Sequence, residues 1–168
     1  MFRLFRTLLA CLCCLTPLLA VAADPGTSAL YDAKLPDLQA RAQSLQQWRG
    51  KILVVNFWAS WCGPCVREMP ALSSLNDRYR AKKVQFVGIA VDTKTNVNQF
   101  LKKVTIDYPI LIAGFEGTDL AEKLGDKLKG LPFTVIIDAD GDVAYRKLGE
   151  IDPSVIAGEL DRLTKSAR

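Results

Sequence analysis

The chain has 168 residues, of which 49% are hydrophobic and 24% are charged, with 22 lysines and arginines against 18 aspartates and glutamates. This length supports one domain with a sizeable core and excludes two domains of ordinary size. A net charge of +4 is too small to indicate a nucleic-acid surface, and the chain has no histidine for a metal site. We therefore expect one compact domain, a monomer, with no nucleic-acid partner and no metal.

The N-terminal segment has the composition of a secretory signal peptide. Arg3 and Arg6 precede an apolar stretch over 7–19, and the small residues 20–23 then offer a cleavage site. The apolar stretch is shorter than the roughly 20 residues that a membrane-spanning helix needs. We therefore predict cleavage and a periplasmic mature protein. The alternatives are an N-terminal membrane anchor and a lipid on Cys11.

Three segments follow from this interpretation. We expect a cleavable signal peptide over 1–23, a mobile polar lead-in over 24–36 and one folded domain over 37–168. In the domain, apolar β-branched runs alternate with stretches of helical periodicity. Strands are predicted at 52–58, 84–91, 110–112, 133–138 and 143–148, and helices at 64–80, 96–104, 118–124 and 153–165. This order predicts an α/β fold with a central mixed sheet and helices on both faces.

Two cysteines, Cys62 and Cys65, remain of the five once the signal peptide is removed. A structural zinc site needs about four ligands, and neither a second cysteine pair nor a histidine is present to complete one. A disulfide across two residues closes too short a loop to stabilise the fold substantially. Redox chemistry is the remaining interpretation, with the disulfide itself as the reactive group and no further cofactor.

The position of the pair favours unequal roles for the two thiols. Cys62 follows a predicted strand and precedes a predicted helix, whose free N–H groups favour a thiolate. Pro64 is tolerated in the first turn, where its missing N–H would be unpaired anyway. We predict that Cys62 is the exposed nucleophile and that Cys65, one turn deeper, is the resolving thiol.

The sequence closely resembles the thioredoxin superfamily and, within it, the TlpA/ResA-like group of secreted disulfide reductases. The resemblance covers roughly 35–163 and is carried by the motifs GKILVVNFWASWCGPCVREMP, FVGIAVD and GLPFTVIIDADGDV. It implies a thioredoxin-like fold in which Pro132 is cis and faces the cysteines. It also implies that Leu131 pairs with an extended substrate and that Gly63 and Pro64 lie at the substrate surface.

One departure from cytoplasmic thioredoxins concerns proton transfer. Those proteins have a buried aspartate six residues before the first cysteine, where this chain has Asn56, which cannot act as a base. The resemblance assigns this role to Glu68, although an exposed helical glutamate is the simpler interpretation. We expect substitution of Asn56 to affect packing alone. Trp61 is expected at the substrate surface and Trp58 in the core.

The resemblance implies a periplasmic disulfide reductant that acts on protein disulfides. In an oxidising compartment it needs a membrane thiol reductant as a partner. Its clients in that group include apocytochrome c, during cytochrome c maturation, and the thiols of copper sites. The alternative is a periplasmic disulfide oxidase or isomerase.

Overall fold

The computed structural model describes residues 24–166, so the predicted signal peptide lies outside the described residues. Within this part of the chain, no helix is both long enough and apolar enough to cross a bilayer. The helices are α1 (Pro25–Asp32), α2 (Gly63–Tyr79), α3 (Lys94–Leu101), α4 (Gly117–Lys123) and α5 (Pro153–Ser166). The strands are β1 (Lys34–Pro36), β2 (Ala42–Ser44), β3 (Ile52–Trp58), β4 (Val84–Ala90), β5 (Ile110–Ile112), β6 (Phe133–Ile137) and β7 (Val143–Leu148).

Five strands form the central sheet, in the order β5-β4-β3-β6-β7. Strands β3, β4 and β5 are parallel, whereas β6 is antiparallel to β3 and β7 is antiparallel to β6. The remaining strands, β1 and β2, form a small antiparallel pair of their own. The sheet is therefore mixed, as predicted, and β3 lies at its centre with every residue buried.

Helices cover both faces of the sheet, which confirms the predicted α/β class. Because side chains alternate along a strand, Leu53, Val55 and Phe57 of β3 share one face, where they join the core with buried residues of α1 and α4. Val54 and Trp58 lie on the opposite face with buried residues of α2, α3 and α5. Asn56 lies on this second face, and so do both cysteines.

The prediction of a mobile lead-in over 24–36 is wrong, because this segment forms α1 and β1 and packs on the domain. Asp24 caps α1 by accepting a hydrogen bond from the Gly26 N–H at 2.7 Å. Leu30 and Tyr31 are buried against the sheet. A Cβ on Gly26 would lie 2.2 Å from the Lys123 carbonyl oxygen, so a glycine is needed where α1 meets α4. Ala33 and Leu35 pack against the same core.

Candidate active site

Cys62 lies at the junction of β3 and α2, where it is the N-cap residue of the helix. Its Sγ accepts a hydrogen bond from the Cys65 N–H at 3.3 Å. This N–H is one of the donors that the first turn of a helix leaves without a backbone acceptor. The helix therefore offers the Cys62 sulfur a donor and the positive end of its dipole, as the sequence predicts.

A disulfide joins Cys62 to Cys65. The Cys65 side chain is fully buried, and Cys62 is 6% exposed. Cys62 is thus less exposed than the sequence predicts, because its sulfur lies on the floor of a hollow instead of at the surface. The order of access is nevertheless as predicted, since a substrate reaches Cys62 before Cys65.

The hollow above Cys62 has a volume of about 430 Å³ and a mainly apolar wall. Trp61 and Phe115 rise from it with 61% and 66% of their surface exposed. The other lining residues are Val91, Thr118, Lys129 and Leu131. The Lys129 ammonium is paired with acidic side chains of α4, at 2.7 Å and 3.1 Å. The hollow therefore presents apolar surface and a neutralised cation around the reactive sulfur.

The loop before β6 forms one side of this hollow. The Leu131–Pro132 peptide bond is cis, as the resemblance implies. The Pro132 carbonyl oxygen accepts a hydrogen bond from the Gly149 N–H at 2.8 Å, which ties the loop to the end of β7. Gly149 has a φ of +88°, a backbone conformation that favours glycine. Leu131 thus shares the hollow with Cys62, and Gly63 and Pro64 begin α2 beside them.

A buried carboxylate that no sequence pattern singles out holds the loop that precedes Cys62. Asp92, at the end of the FVGIAVD motif, accepts hydrogen bonds from the Ser60 N–H at 2.9 Å and the Ser60 hydroxyl at 2.5 Å. It also accepts from the Thr93 N–H and the Asn96 amide. These donors lower the pKa of Asp92 against the effect of its burial. Asp92 therefore fixes the approach to the cysteines.

Glu68 is 3% exposed, so the interpretation as an ordinary surface glutamate is wrong. Its carboxylate accepts hydrogen bonds from the Asn56 amide at 2.7 Å and from the Ile151 N–H at 2.9 Å. Burial raises the pKa of Glu68 to about 7, although these two donors lower it. A spacing of three residues puts Glu68 on nearly the same face of α2 as Cys65. A buried carboxyl group with a raised pKa therefore lies about one helical turn from Cys65, the buried half of the disulfide.

Asn56 is more than a packing residue, because its side chain contacts Glu68 directly. Asn56 pairs with Thr134 across β3 and β6, and the Asn56 amide also donates to the Thr134 hydroxyl at 3.0 Å. All three side chains are buried. We expected Asn56 to affect packing alone because the sequence does not show its contacts with Glu68 and Thr134, which form only in the folded protein.

Comparisons with known proteins agree with this geometry. The Redoxin family model matches residues 24–160. The chain belongs to the Redoxin family. A thiol-disulfide oxidoreductase ResA from Geobacillus thermodenitrificans is 35% identical over 133 residues, which cover 79% of this chain and 74% of the relative. ResA from Bacillus cereus is 32% identical over 130 residues, covering 76% and 72%.

A solved structure supports the same assignment. The thioredoxin-related protein from Neisseria meningitidis serogroup B matches with a TM-score of 0.65 and 35% identity, covering 80% of this chain and 98% of its own. Together these matches confirm the thioredoxin-like fold and place the chain among thiol-disulfide oxidoreductases of the ResA type.

Sequence reasoning missed part of the hollow. Phe115 lies 50 residues or more from either cysteine in the chain and belongs to none of the motifs. Only the parallel pairing of β4 with β5 brings the loop after β5 to the end of the sheet where α2 begins. An aromatic residue shortly after the predicted strand at 110–112 was the one available signal.

Proposed function

We propose that this Redoxin family member reduces disulfide bonds of other proteins in the periplasm. The observation that supports this direction is the buried Glu68 carboxyl group, about one turn of α2 from Cys65. A strong oxidant of this fold stabilises its reduced form. A carboxylate that opposes a nearby thiolate does the reverse and makes the dithiol a better electron donor.

The reaction starts with both cysteines reduced. The Cys62 thiolate attacks one sulfur of the client disulfide, the client S–S bond breaks, and its second sulfur leaves as a thiolate that takes up a proton. Cys65 then loses its proton and attacks the Cys62 sulfur of the mixed disulfide. The client disulfide has then gained two electrons in total and leaves as two thiols, and Cys62–Cys65 is left as the disulfide seen here.

The different access to the two cysteines supports Cys62 as the nucleophile and Cys65 as the resolving thiol. The hollow exposes Cys62 while Cys65 is covered, so a client disulfide reaches the first sulfur alone. Trp61 and Leu131 line the hollow, in agreement with the predicted substrate contacts. Leu131 precedes β6 and takes no part in a backbone hydrogen bond of the described residues, so its peptide groups are free to pair with an extended client segment.

Turnover requires a second protein. An oxidised Cys62–Cys65 pair needs two electrons and two protons from another dithiol before it can act again, and we propose a membrane thiol reductant as their source. No cofactor enters this cycle. Apocytochrome c and the thiols of copper sites are the client classes that we propose, with the protein acting as a monomer.

The second candidate function is that of a disulfide oxidase or isomerase. The N–H of Cys65, which donates to the Cys62 sulfur, favours the thiolate and so acts against Glu68. The reduction potential decides between the two directions. Equilibration with glutathione should give a value near the −270 mV of thioredoxin, whereas a value near the −120 mV of DsbA would support the oxidase.

Clients can be identified with a Cys65→Ser variant expressed in the native host. This variant should accumulate mixed disulfides through Cys62, and the captured proteins should be released by a reductant. The Cys62→Ser, Cys65→Ser double variant is the control. If the double variant captures the same set of proteins, the contacts are not made through Cys62.

Location is tested separately. Mass spectrometry of the protein from cells should show a mature N-terminus near Asp24 in the periplasmic fraction. A retained Met1 would support a membrane anchor, and a lipid on Cys11 would show lipoprotein processing.

A further inference from the structure

The face of the sheet that contacts α2 carries a buried polar group of three side chains. Asn56 of β3, Thr134 of β6 and Glu68 of α2 are each at most 3% exposed. The two strand residues lie opposite each other in the register, and both point toward the helix. Buried polar groups are costly unless they are hydrogen-bonded. Here the Asn56 Nδ2 group makes the connecting bonds, and the Asn56 Oδ1 has no hydrogen-bond partner among the described residues.

The chemistry of the acceptors fixes the orientation of the Asn56 amide. An ionised Glu68 carboxylate accepts hydrogen bonds and has none to donate. The Asn56 Nδ2 group therefore faces Glu68 Oε1, at 2.7 Å, and its second hydrogen points to Thr134 Oγ1, at 3.0 Å. A rotated amide would bring its oxygen against the carboxylate, and the Thr134 hydroxyl helps to hold it in the donating orientation.

We propose that Asn56 is a positioning residue for Glu68, and that Thr134 holds the Asn56 amide so that it stabilises the ionised carboxylate. The pair thereby sets the pH at which Glu68 takes up a proton and holds its carboxyl group against the central sheet. The importance of this for disulfide exchange rests on the proposed function, whereas the effect on Glu68 can be measured without turnover.

Other charged and titratable groups near Glu68 do not replace this contact. Glu150 raises the pKa of Glu68 by its negative charge, but its own carboxylate is paired with Arg67 at 2.6 Å. Burial raises the pKa of Tyr108, and the Glu68 charge adds to this effect. The two cysteines are joined as the disulfide. Besides the Asn56 amide, the Ile151 N–H is the donor that contacts the carboxylate.

The test is a carbon-13 NMR titration of the Glu68 side-chain carboxyl in the oxidised protein. The wild-type midpoint should lie near pH 7. In Asn56→Leu the midpoint should rise by about one pH unit, a tenfold change in the acid dissociation constant, because a hydrogen bond to a charged group is lost. Thr134→Val should raise it by less, and Thr134→Ser should restore the wild-type value.

Asn76 offers a matched control, since it is also a buried asparagine and donates to the Asp107 carbonyl oxygen at 3.1 Å. Asn76→Leu should leave the Glu68 midpoint unchanged. If Asn56→Leu fails to fold, the Thr134→Val and Thr134→Ser pair gives the answer. A Glu68 midpoint that is unchanged in the folded Asn56 or Thr134 variants, or that moves equally in Asn76→Leu, would overturn the proposal.

The thiols provide a second readout in the reduced protein. A Glu68 carboxyl that stays neutral to higher pH should let Cys62 react with iodoacetamide at lower pH in Asn56→Leu. The same substitution in a Glu68→Gln background should produce no further shift. An equal shift in both backgrounds would mean that Asn56 acts on the thiols independently of Glu68. A reductant assay that fails while the NMR shifts appear would refute the proposed function alone.

Discussion

The two faces of the central sheet are built from the same strands and have different chemistry. The face under α1 and α4 is apolar, with Leu53, Val55 and Phe57 of β3 fully buried. The face under α2 has Asn56 between the apolar residues Val54 and Trp58, with the disulfide above it. The first face thus receives only apolar side chains from β3, whereas the second also carries Asn56, which binds the titratable Glu68 of α2.

This difference shows how one domain separates stability from reactivity. A buried carboxyl group with a raised pKa is unfavourable for folding at high pH, so the apolar face must compensate for it. Because the alternation of side chains along β3 keeps the faces separate, changes on one face should leave the properties of the other intact.

The largest expected effect follows from removing the nucleophile. Cys62→Ser should reduce the turnover of protein disulfides to background, because Cys65, the other cysteine of residues 24–166, is fully buried. Serine is a good N-cap residue, so α2 and the thermal stability of the reduced protein should be retained. An insulin reduction assay with a chemical reductant measures turnover. Residual activity near that of the wild type would show that Cys65 can start the reaction.

A large effect on stability is expected from a substitution on the apolar face. Phe57→Ala removes a buried ring that packs on Phe133, with the ring centroids 6.0 Å apart. The free energy of unfolding should fall by about 3–5 kcal/mol, as measured with urea. The pH profile of Cys62 alkylation should remain that of the wild type. A shifted profile would show that the faces are coupled.

Glu68 should make stability depend on pH. Because its pKa is about 7 in the folded protein, above the ordinary 4.5, the folded state binds the proton more tightly than the unfolded chain. Relative to Glu68→Gln, wild-type stability should therefore fall as the pH rises from 4.5 to 7, by about 3 kcal/mol, and remain lower above pH 7. Urea unfolding at several pH values measures this. Parallel curves for the two proteins would contradict a raised pKa.

The smallest expected effect concerns the rim of the hollow. Trp61→Ala and Phe115→Ala remove exposed side chains, so stability should change by less than about 0.5 kcal/mol. The KM for a protein disulfide should rise severalfold, whereas the reaction with a small aromatic disulfide should slow less. Val155→Ala, at an exposed apolar residue outside the hollow, is the control. Equal effects on both substrates would argue against client contacts.

Much of the fold can be predicted from the chain because its signals are local. Strands β3 to β6 are short, mainly apolar runs, and each predicted helix of the domain is present within three residues of its expected ends. The prediction for segment 24–36 is wrong because the burial of this segment depends on contact with α4, nearly 100 residues further along the chain. A short helix with few apolar residues has no pattern that distinguishes it from a loop.

The active site can be predicted in part, because some of its signals are also local. Cys62 and Cys65 carry their chemistry in their spacing and in the strand-to-helix junction. The contact between Asn56 and Thr134 depends on the antiparallel register of β3 and β6, 78 residues apart. Likewise, folding of the sheet brings Phe115 to the hollow that Cys62 lines and Asp92 to Ser60, which precedes the cysteines. Sequence analysis therefore identifies the reactive atoms more readily than the groups that control them.

The central claim is that the buried Glu68 carboxyl group restrains the active-site thiols. The most direct measurement is the rate of Cys62 alkylation by iodoacetamide as a function of pH, in reduced wild type and in Glu68→Gln. The account predicts that the Glu68→Gln thiols react at lower pH, because no carboxylate opposes the thiolate. Superimposable profiles would contradict it and leave Glu68 as a structural residue.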